Sequence, residues 1–149
     1  MCALKVEGTY TFKADIETVW NSLLDPDILS GCLPGCEKFE TVGDEIYEVV
    51  LKVGVSGISG TYTGKVTVAD KQYPGSYKML VEGKGSGGTI RGEGVLSFSG
   101  NEFETEVSVV GDAQVSGIVA RVGQRLLGGV SKSIMNQFFS CMKAKIEGQ

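Results

Sequence analysis

Histidine is absent from the 149 residues, and its absence removes most familiar catalytic chemistry at neutral pH. Ser-His-Asp and Cys-His nucleophile activation, histidine-ligated zinc and the usual general base all need an imidazole. Carboxylates, lysines, phenols and thiols remain. The thiols are Cys2, Cys32, Cys36 and Cys141. Cys32 and Cys36 flank Leu33-Pro34-Gly35, a looser spacing than the paired knuckles of a zinc ribbon, and Cys141 falls far down the chain. The reading is therefore no metal and small, buried or half-buried thiols, with a reversible disulfide at Cys32 and Cys36 as the alternative. Among the carboxylates, Asp70, near a strand end, is the best candidate for acid–base work. Gly83-Lys84-Gly85-Ser86-Gly87-Gly88 has the spelling of a dinucleotide loop, but that loop must open a helix. Thr89 to Ser99 alternates as a strand, so the glycines read as a hairpin turn.

Composition narrows the classes further. Hydrophobic residues make up 42% and charged residues 21%, which suits a folded chain of one domain over residues 1–149. A net charge of -4 argues against nucleic acid as a partner, because neutralising phosphates takes a basic surface. Neither a signal peptide nor an apolar run of the ~20 residues needed to span a membrane is seen. The expectation is a cytoplasmic protein whose cysteines stay reduced.

The elements follow from the period of the apolar residues. Leu4, Val6, Gly8, Tyr10 and Phe12 alternate with polar residues, which predicts a half-buried strand. Asp15 caps a short helix bearing Ile16, Val19, Trp20, Leu23 and Leu24, and a second turn of helix covers Asp27 to Ser30. Six further strands follow, the first less regular (Glu37 to Val42), separated by turns at Gly43-Asp44, Pro74-Gly75, Gly85 to Gly88 and Gly100-Asn101. Their inward residues include Tyr47, Leu51, Tyr62, Met79, Phe98, Phe103 and Val107. Hairpin connections predict one antiparallel sheet with a single apolar face. From Val115 the period lengthens to three or four, predicting an amphipathic helix of roughly 30 residues with Arg121, Arg125, Lys132, Lys143 and Lys145 on its polar side. Gly117, Gly123, Gly128 and Gly129 are costly inside such a helix and point to close approach or a kink. The fold class is α+β: a seven-stranded antiparallel sheet around a long C-terminal helix, with two short helices after strand 1.

Gly8, Gly60, Gly64, Gly83, Gly92 and Gly94 fall on the inner face. They either let the sheet curl or leave a cavity beneath the helix. A cavity would be apolar, with the hydroxyls of Tyr10, Tyr47, Tyr62 and Tyr77 as sparse polar points. The candidate ligand-contacting residues are Trp20, Leu24, Leu29, Leu33, Tyr47, Leu51, Tyr62, Met79, Phe98, Phe103, Val107, Leu126, Val130 and Phe138, with Leu29 to Gly35 as a gate. No residue is nominated as catalytic or as a metal ligand.

Several motifs resemble the CoxG-like family of carbon monoxide dehydrogenase subunits, within the START/Bet v 1-like polyketide cyclase superfamily. They are Val19-Trp20, Leu24-Asp25-Pro26, Cys32-Leu33-Pro34-Gly35-Cys36-Glu37, Lys52-Val53-Gly54, Gly57 to Val66, Gly123-Gln124-Arg125-Leu126-Leu127 and Gln137-Phe138-Phe139. The resemblance implies a helix-grip fold around a deep hydrophobic cavity. It implies an accessory protein of molybdenum-containing carbon monoxide dehydrogenases and related hydroxylases, one that recruits the enzyme to the membrane and binds a respiratory quinone. Many members continue into a membrane-attaching tail, whereas this sequence stops at Gln149, so the ligand role is expected more than the tether.

Three functions compete on the sequence alone. The first is a non-enzymatic carrier with no tightly bound cofactor, holding a quinone or lipid and contacting molybdenum hydroxylase subunits or the membrane periphery. The second is a cyclase- or dehydratase-like enzyme, which needs a titratable group in the cavity. The third is a docking module with a filled core.

Overall fold

The computed structural model describes residues 2–55 and 58–148, the side chain of Cys2 excepted. Ser56 and Gly57, and with Gly57 the start of one family-like motif, lie outside the described residues, as does the Cys2 thiol. The chain runs β1 (Cys2–Phe12), α1 (Ile16–Ser22), α2 (Pro26–Cys32), β2 (Cys36–Gly43), β3 (Ile46–Val53), β4 (Gly60–Gln72), β5 (Ser76–Gly85), β6 (Gly88–Gly100), β7 (Thr105–Ser116), α3 (Ile118–Arg121) and α4 (Gln124–Glu147).

The strands form one seven-stranded sheet in the order β1-β7-β6-β5-β4-β3-β2, every neighbouring pair antiparallel. The α+β class and the strand count read from alternation are thus observed. β1 and β2 are its edges, and α1 and α2 carry the chain from one edge to the other. Asp15 caps α1 by accepting from the Thr18 N–H at 3.3 Å and from the Thr18 hydroxyl, which holds its carboxyl below the usual range. Asp25 caps α2 in the same manner, accepting from the Asp27 N–H at 3.0 Å, with Pro26 in the first turn where a missing N–H costs nothing. The glycine-rich segment is the hairpin that its sequence predicts: β5 ends at Gly85 and β6 begins at Gly88, with no helix after it.

The last helix departs from expectation. β7 extends through Val115 to Ser116, so Val115 belongs to a strand, and the helical stretch is split into α3 and the 24-residue α4. Gly117 (φ 88°) and Gly123 (φ 91°) make the two breaks, in a backbone region that side-chain-bearing residues avoid. Gly128 and Gly129 are not places of close approach, since a Cβ at either would meet nothing within 4 Å, and α4 runs through both without a break.

None of the six inner-face glycines lines the spaces beneath α4. Gly64 pairs with Gly83 across β4 and β5, and a Cβ on Gly64 would lie 2.9 Å from the Glu82 carbonyl oxygen. A Cβ on Gly92 would lie 2.8 Å from that of Ala113. At Gly64 and Gly92 the neighbouring strand leaves no room for a side chain.

α4 grips the β1 edge. Tyr10 stacks on Phe139 with ring centroids 4.1 Å apart, the Tyr10 hydroxyl donates to Asn136 Oδ1 at 2.9 Å, and Gln124 Nε2 donates to the Ala3 carbonyl at 2.8 Å. Phe12, Val19, Val107 and Met142 are fully buried at this seam. Buried Thr105 is satisfied, its hydroxyl donating to the Ala14 carbonyl at 2.9 Å. The larger apolar cluster sits between α1, the C-terminal half of α4 and a sheet face that runs from Phe12 on β1 to Tyr47 on β3.

Candidate functional site

Away from β1 the sheet and α4 part, and a cavity of about 430 Å³ lies between them. The middle strands supply its floor through Tyr47, Val66, Val68, Tyr77, Met79, Val81, Leu96 and Val109. α1 and α2, with the segments after them, close it with Leu23, Leu24, Leu29 and Leu33; α4 covers it with Ser131, Ile134, Met135, Phe138 and Phe139. No Asp, Glu, Lys or Arg lines it.

A smaller space of about 200 Å³, lined by Leu51, Ile58, Tyr62, Val115, Leu127 and Val130 among others, adjoins it at Ser131 and Ile134. A third, of about 400 Å³, opens toward solvent between α4 and the rim formed by Pro34, Gly35 and Lys52 to Val55. Ile134 lines all three.

The polar groups of the interior are phenols. Tyr77 is 2% exposed; its hydroxyl donates to the Leu23 carbonyl at 3.5 Å, and burial pushes its phenol well above the ordinary value. Burial also raises Tyr47, helped by the nearby Glu45 carboxylate. The Tyr62 hydroxyl is committed to the Ile58 carbonyl at 2.7 Å, and that of Tyr10 to Asn136, so neither points freely into the space. Such an interior can hold an apolar molecule and orient a carbonyl through Tyr47. Phenols held neutral supply no base at ordinary pH.

The fourteen nominated residues separate into groups. Leu24, Leu29, Leu33, Tyr47, Met79 and Phe138 line the main cavity. Leu51, Tyr62 and Val130 line the smaller one, and Leu126 lines the open vestibule. Trp20, Phe98 and Val107 are core: Trp20 packs edge-on against Tyr77 (centroids 5.3 Å apart) and against Phe98 (5.1 Å), and Val107 is fully buried. Phe103 is misplaced by the sequence reading. It is 79% exposed, because Asn101 Oδ1 accepts from the N–H groups of Phe103 and Glu104 and so turns the chain before β7 starts at Thr105. Asp70, the suggested acid–base group, is exposed on β4 and lines none of the three spaces.

The cysteines also correct an expectation. Cys32 and Cys141 form a disulfide joining α2 to α4, so the thiols are not all reduced. Cys36 is free; it lies past the Pro34-Gly35 turn, where its Sγ donates to the Lys38 carbonyl at 3.4 Å and burial raises its thiol. No group of three or more potential metal ligands occurs among the described residues.

Reading of the sequence missed Ile134, Phe139, Val81 and Leu96 as cavity residues. Ile134, Val81 and Leu96 carried a usable signal, standing in phase with nominated neighbours on the same strand or helix face; Phe139 did not, being out of phase with Leu126, Val130 and Phe138.

A sheet wrapped around a long C-terminal helix, with an apolar cavity between them, defines a protein of the START/Bet v 1-like helix-grip class. The sequence pattern of the CoxG component of carbon monoxide dehydrogenase matches residues 8–147, and the chain belongs to that family. A conserved protein from Geobacillus kaustophilus is similar in structure, with TM-score 0.92 at 36% identity, over 97% of this chain and 95% of that one. A START superfamily protein from Mycobacterium smegmatis gives 0.75 at 12% identity, over 97% of each chain. The Zhui aromatase/cyclase from Streptomyces gives 0.72 at 19% identity, over 98% of this chain and 94% of that one. The latter two likenesses are of fold alone. A comparison with curated proteins gives no match.

Proposed function

We propose that this protein is a non-catalytic carrier that holds a quinone or lipid under α4, and serves as an accessory to a molybdenum-containing carbon monoxide dehydrogenase or related hydroxylase. The observation that carries the reading is the main cavity. At about 430 Å³ it falls within the range of small-molecule sites, and its lining is apolar apart from Tyr47, Tyr77 and Ser131. Burial of apolar ligand surface at ~25 cal/mol per Å² provides the affinity, and a tyrosine hydroxyl orients a carbonyl. An enzyme would need an acid or base there, and a docking module with a filled core would leave no such space. The name of the family supports the accessory role. The exposed cations Arg121, Arg125 and Lys132 near the start of α4 support contact with an acidic partner or the anionic inner face of the membrane. Among the described residues no helix is long and apolar enough to cross a membrane.

The test is organic extraction of natively purified protein followed by mass spectrometry. A stoichiometric quinone or lipid is the expected result. An empty extract from protein that also fails to take up added menaquinone overturns the carrier.

A further inference from the structure

The vestibule between α4 and the β3 rim differs from the cavity it joins. Its helix wall is built in two rows. Arg125, Gly129, Ser133 and Gln137 recur every fourth residue along the outer row, while Leu126, Val130 and Ile134 form the inner row leading to the apolar spaces. Ser133 and Gln137 are already joined, Gln137 Nε2 donating to Ser133 Oγ at 3.0 Å. Gly129 leaves the outer row open, since an added Cβ would meet nothing within 4 Å. Opposite stands Lys52, whose backbone N–H donates to the Gly35 carbonyl at 2.8 Å and so fixes the rim.

Charge separates the vestibule from the uncharged cavity behind it. Lys38, Lys71, Lys78, Arg91 and Lys143 all have carboxylate partners within 4 Å. Lys52 and Arg125, like seven other cations, have none among the described residues; the vestibule differs in that no carboxylate lines it. In a chain of net charge -4, two cations line the mouth of an apolar cavity.

We propose that the vestibule is a head-group site, in which Lys52 and Arg125 receive the anionic carboxylate or phosphate of an amphiphile whose tail passes Ile134 into the cavity. This rests on the carrier reading and names the ligand class: an acyl chain with an anionic head. Both cations are exposed, so each contact is worth little alone, and together they give roughly tenfold in affinity.

The test is calorimetric titration of the purified protein with hexadecanoate, its methyl ester, hexadecanoyl lysophosphatidate and inorganic phosphate, all at submicellar concentration. Hexadecanoate or the lysophosphatidate is expected to bind about tenfold tighter than the ester, and which of the two leads tells a carboxylate head from a phosphate head. The gap is expected to close in the Lys52→Gln/Arg125→Gln variant and to shrink in about 0.5 M salt, with ester affinity unchanged. Equal binding of acids and ester overturns the head-group site and leaves the carrier standing. Binding of none of the three overturns the head-group site, and failure to take up menaquinone as well overturns the carrier. Displacement of hexadecanoate by inorganic phosphate alone makes the vestibule a free-anion site and overturns the amphiphile.

Discussion

Cys32, the last residue of α2, is bonded to Cys141 on α4 across 109 positions of chain, with Cα atoms 5.4 Å apart. The bond ties the short helix that carries Leu29, followed by Leu33, to the helix covering the same cavity. The segment expected to gate the cavity is thereby fastened to its lid.

Cutting that tie has two expected effects. Cys141→Ser, or reduction by a dithiol, lowers stability by about 2–4 kcal/mol, because the unfolded chain regains the freedom that a long loop closure had removed. That corresponds to a fall of roughly 5–15 °C in the thermal midpoint. Release of a bound apolar probe also becomes faster as α2 gains freedom. Calorimetry with and without reductant checks the first effect and stopped-flow dye release the second; an unchanged midpoint would show that packing alone holds α2.

Filling the cavity separates binding from stability. Val81→Phe adds volume on the floor at β5, where space is vacant, so it avoids the ~1–3 kcal/mol cost of overpacking a full core. The unfolding midpoint is expected to stay within about 0.5 kcal/mol of wild type while apolar-dye affinity falls about tenfold. Phe103→Asp is the contrasting variant: at 79% exposure it is expected to change neither quantity. A Val81→Phe protein that binds dye normally would place the ligand elsewhere.

Much of this was legible in the sequence, for reasons that also explain the failures. A period of two marks one face of each strand, so Tyr47, Met79 and Val107 were all assigned inward. Alternation does not report distance to the covering helix. Tyr10, on β1, meets Phe139 at 4.1 Å, whereas Leu96 and Val81, two and three strands further in, look into open space. Core and cavity residues therefore carry the same signal. Alternation also runs on through a turn that it cannot see, as at Phe103. The Cys32–Cys141 pair was illegible because it depends on α2 packing against α4, which no local pattern encodes. The break at Gly123 was visible as a costly residue, but its left-handed backbone was not.

The tyrosine interior makes stability fall at alkaline pH. Burial raises the folded-state phenols of Tyr77, Tyr47 and Tyr10 above their unfolded value, so their contribution is fully present below pH ~10. Above that pH the unfolded chain ionises first and is favoured; the loss continues until the folded phenols themselves titrate. Each affected tyrosine steepens the decline by up to ~1.4 kcal/mol per pH unit. Tyr77→Phe removes the most strongly shifted group together with a long hydrogen bond to Leu23. It is expected to cost about 1 kcal/mol or less at neutral pH and to flatten the decline above pH ~10. Denaturant midpoints across that range check it, and parallel curves for the two proteins would show that Tyr77 ionises as readily folded as unfolded.

The last prediction concerns Gly128, which faces open space within α4. A glycine inside a helix costs up to ~1 kcal/mol against alanine, through the extra freedom of the unfolded chain and the lost helix propensity. Nothing stands within 4 Å of the position where a Cβ would go, and its φ is not in the left-handed region. Gly128→Ala is therefore expected to stabilise the protein by roughly 0.5–1 kcal/mol, measured by chemical denaturation. Gly35 is the opposite case. At φ 74° its Cβ would strike the Lys52 carbonyl oxygen, so Gly35→Ala is expected to destabilise and to loosen the rim that holds Lys52. Two glycine-to-alanine changes of opposite sign would separate a glycine the helix merely tolerates from one the vestibule requires. A loss of stability in Gly128→Ala would mean that α4 bends there in solution, reopening the question of a kink in the cavity's lid.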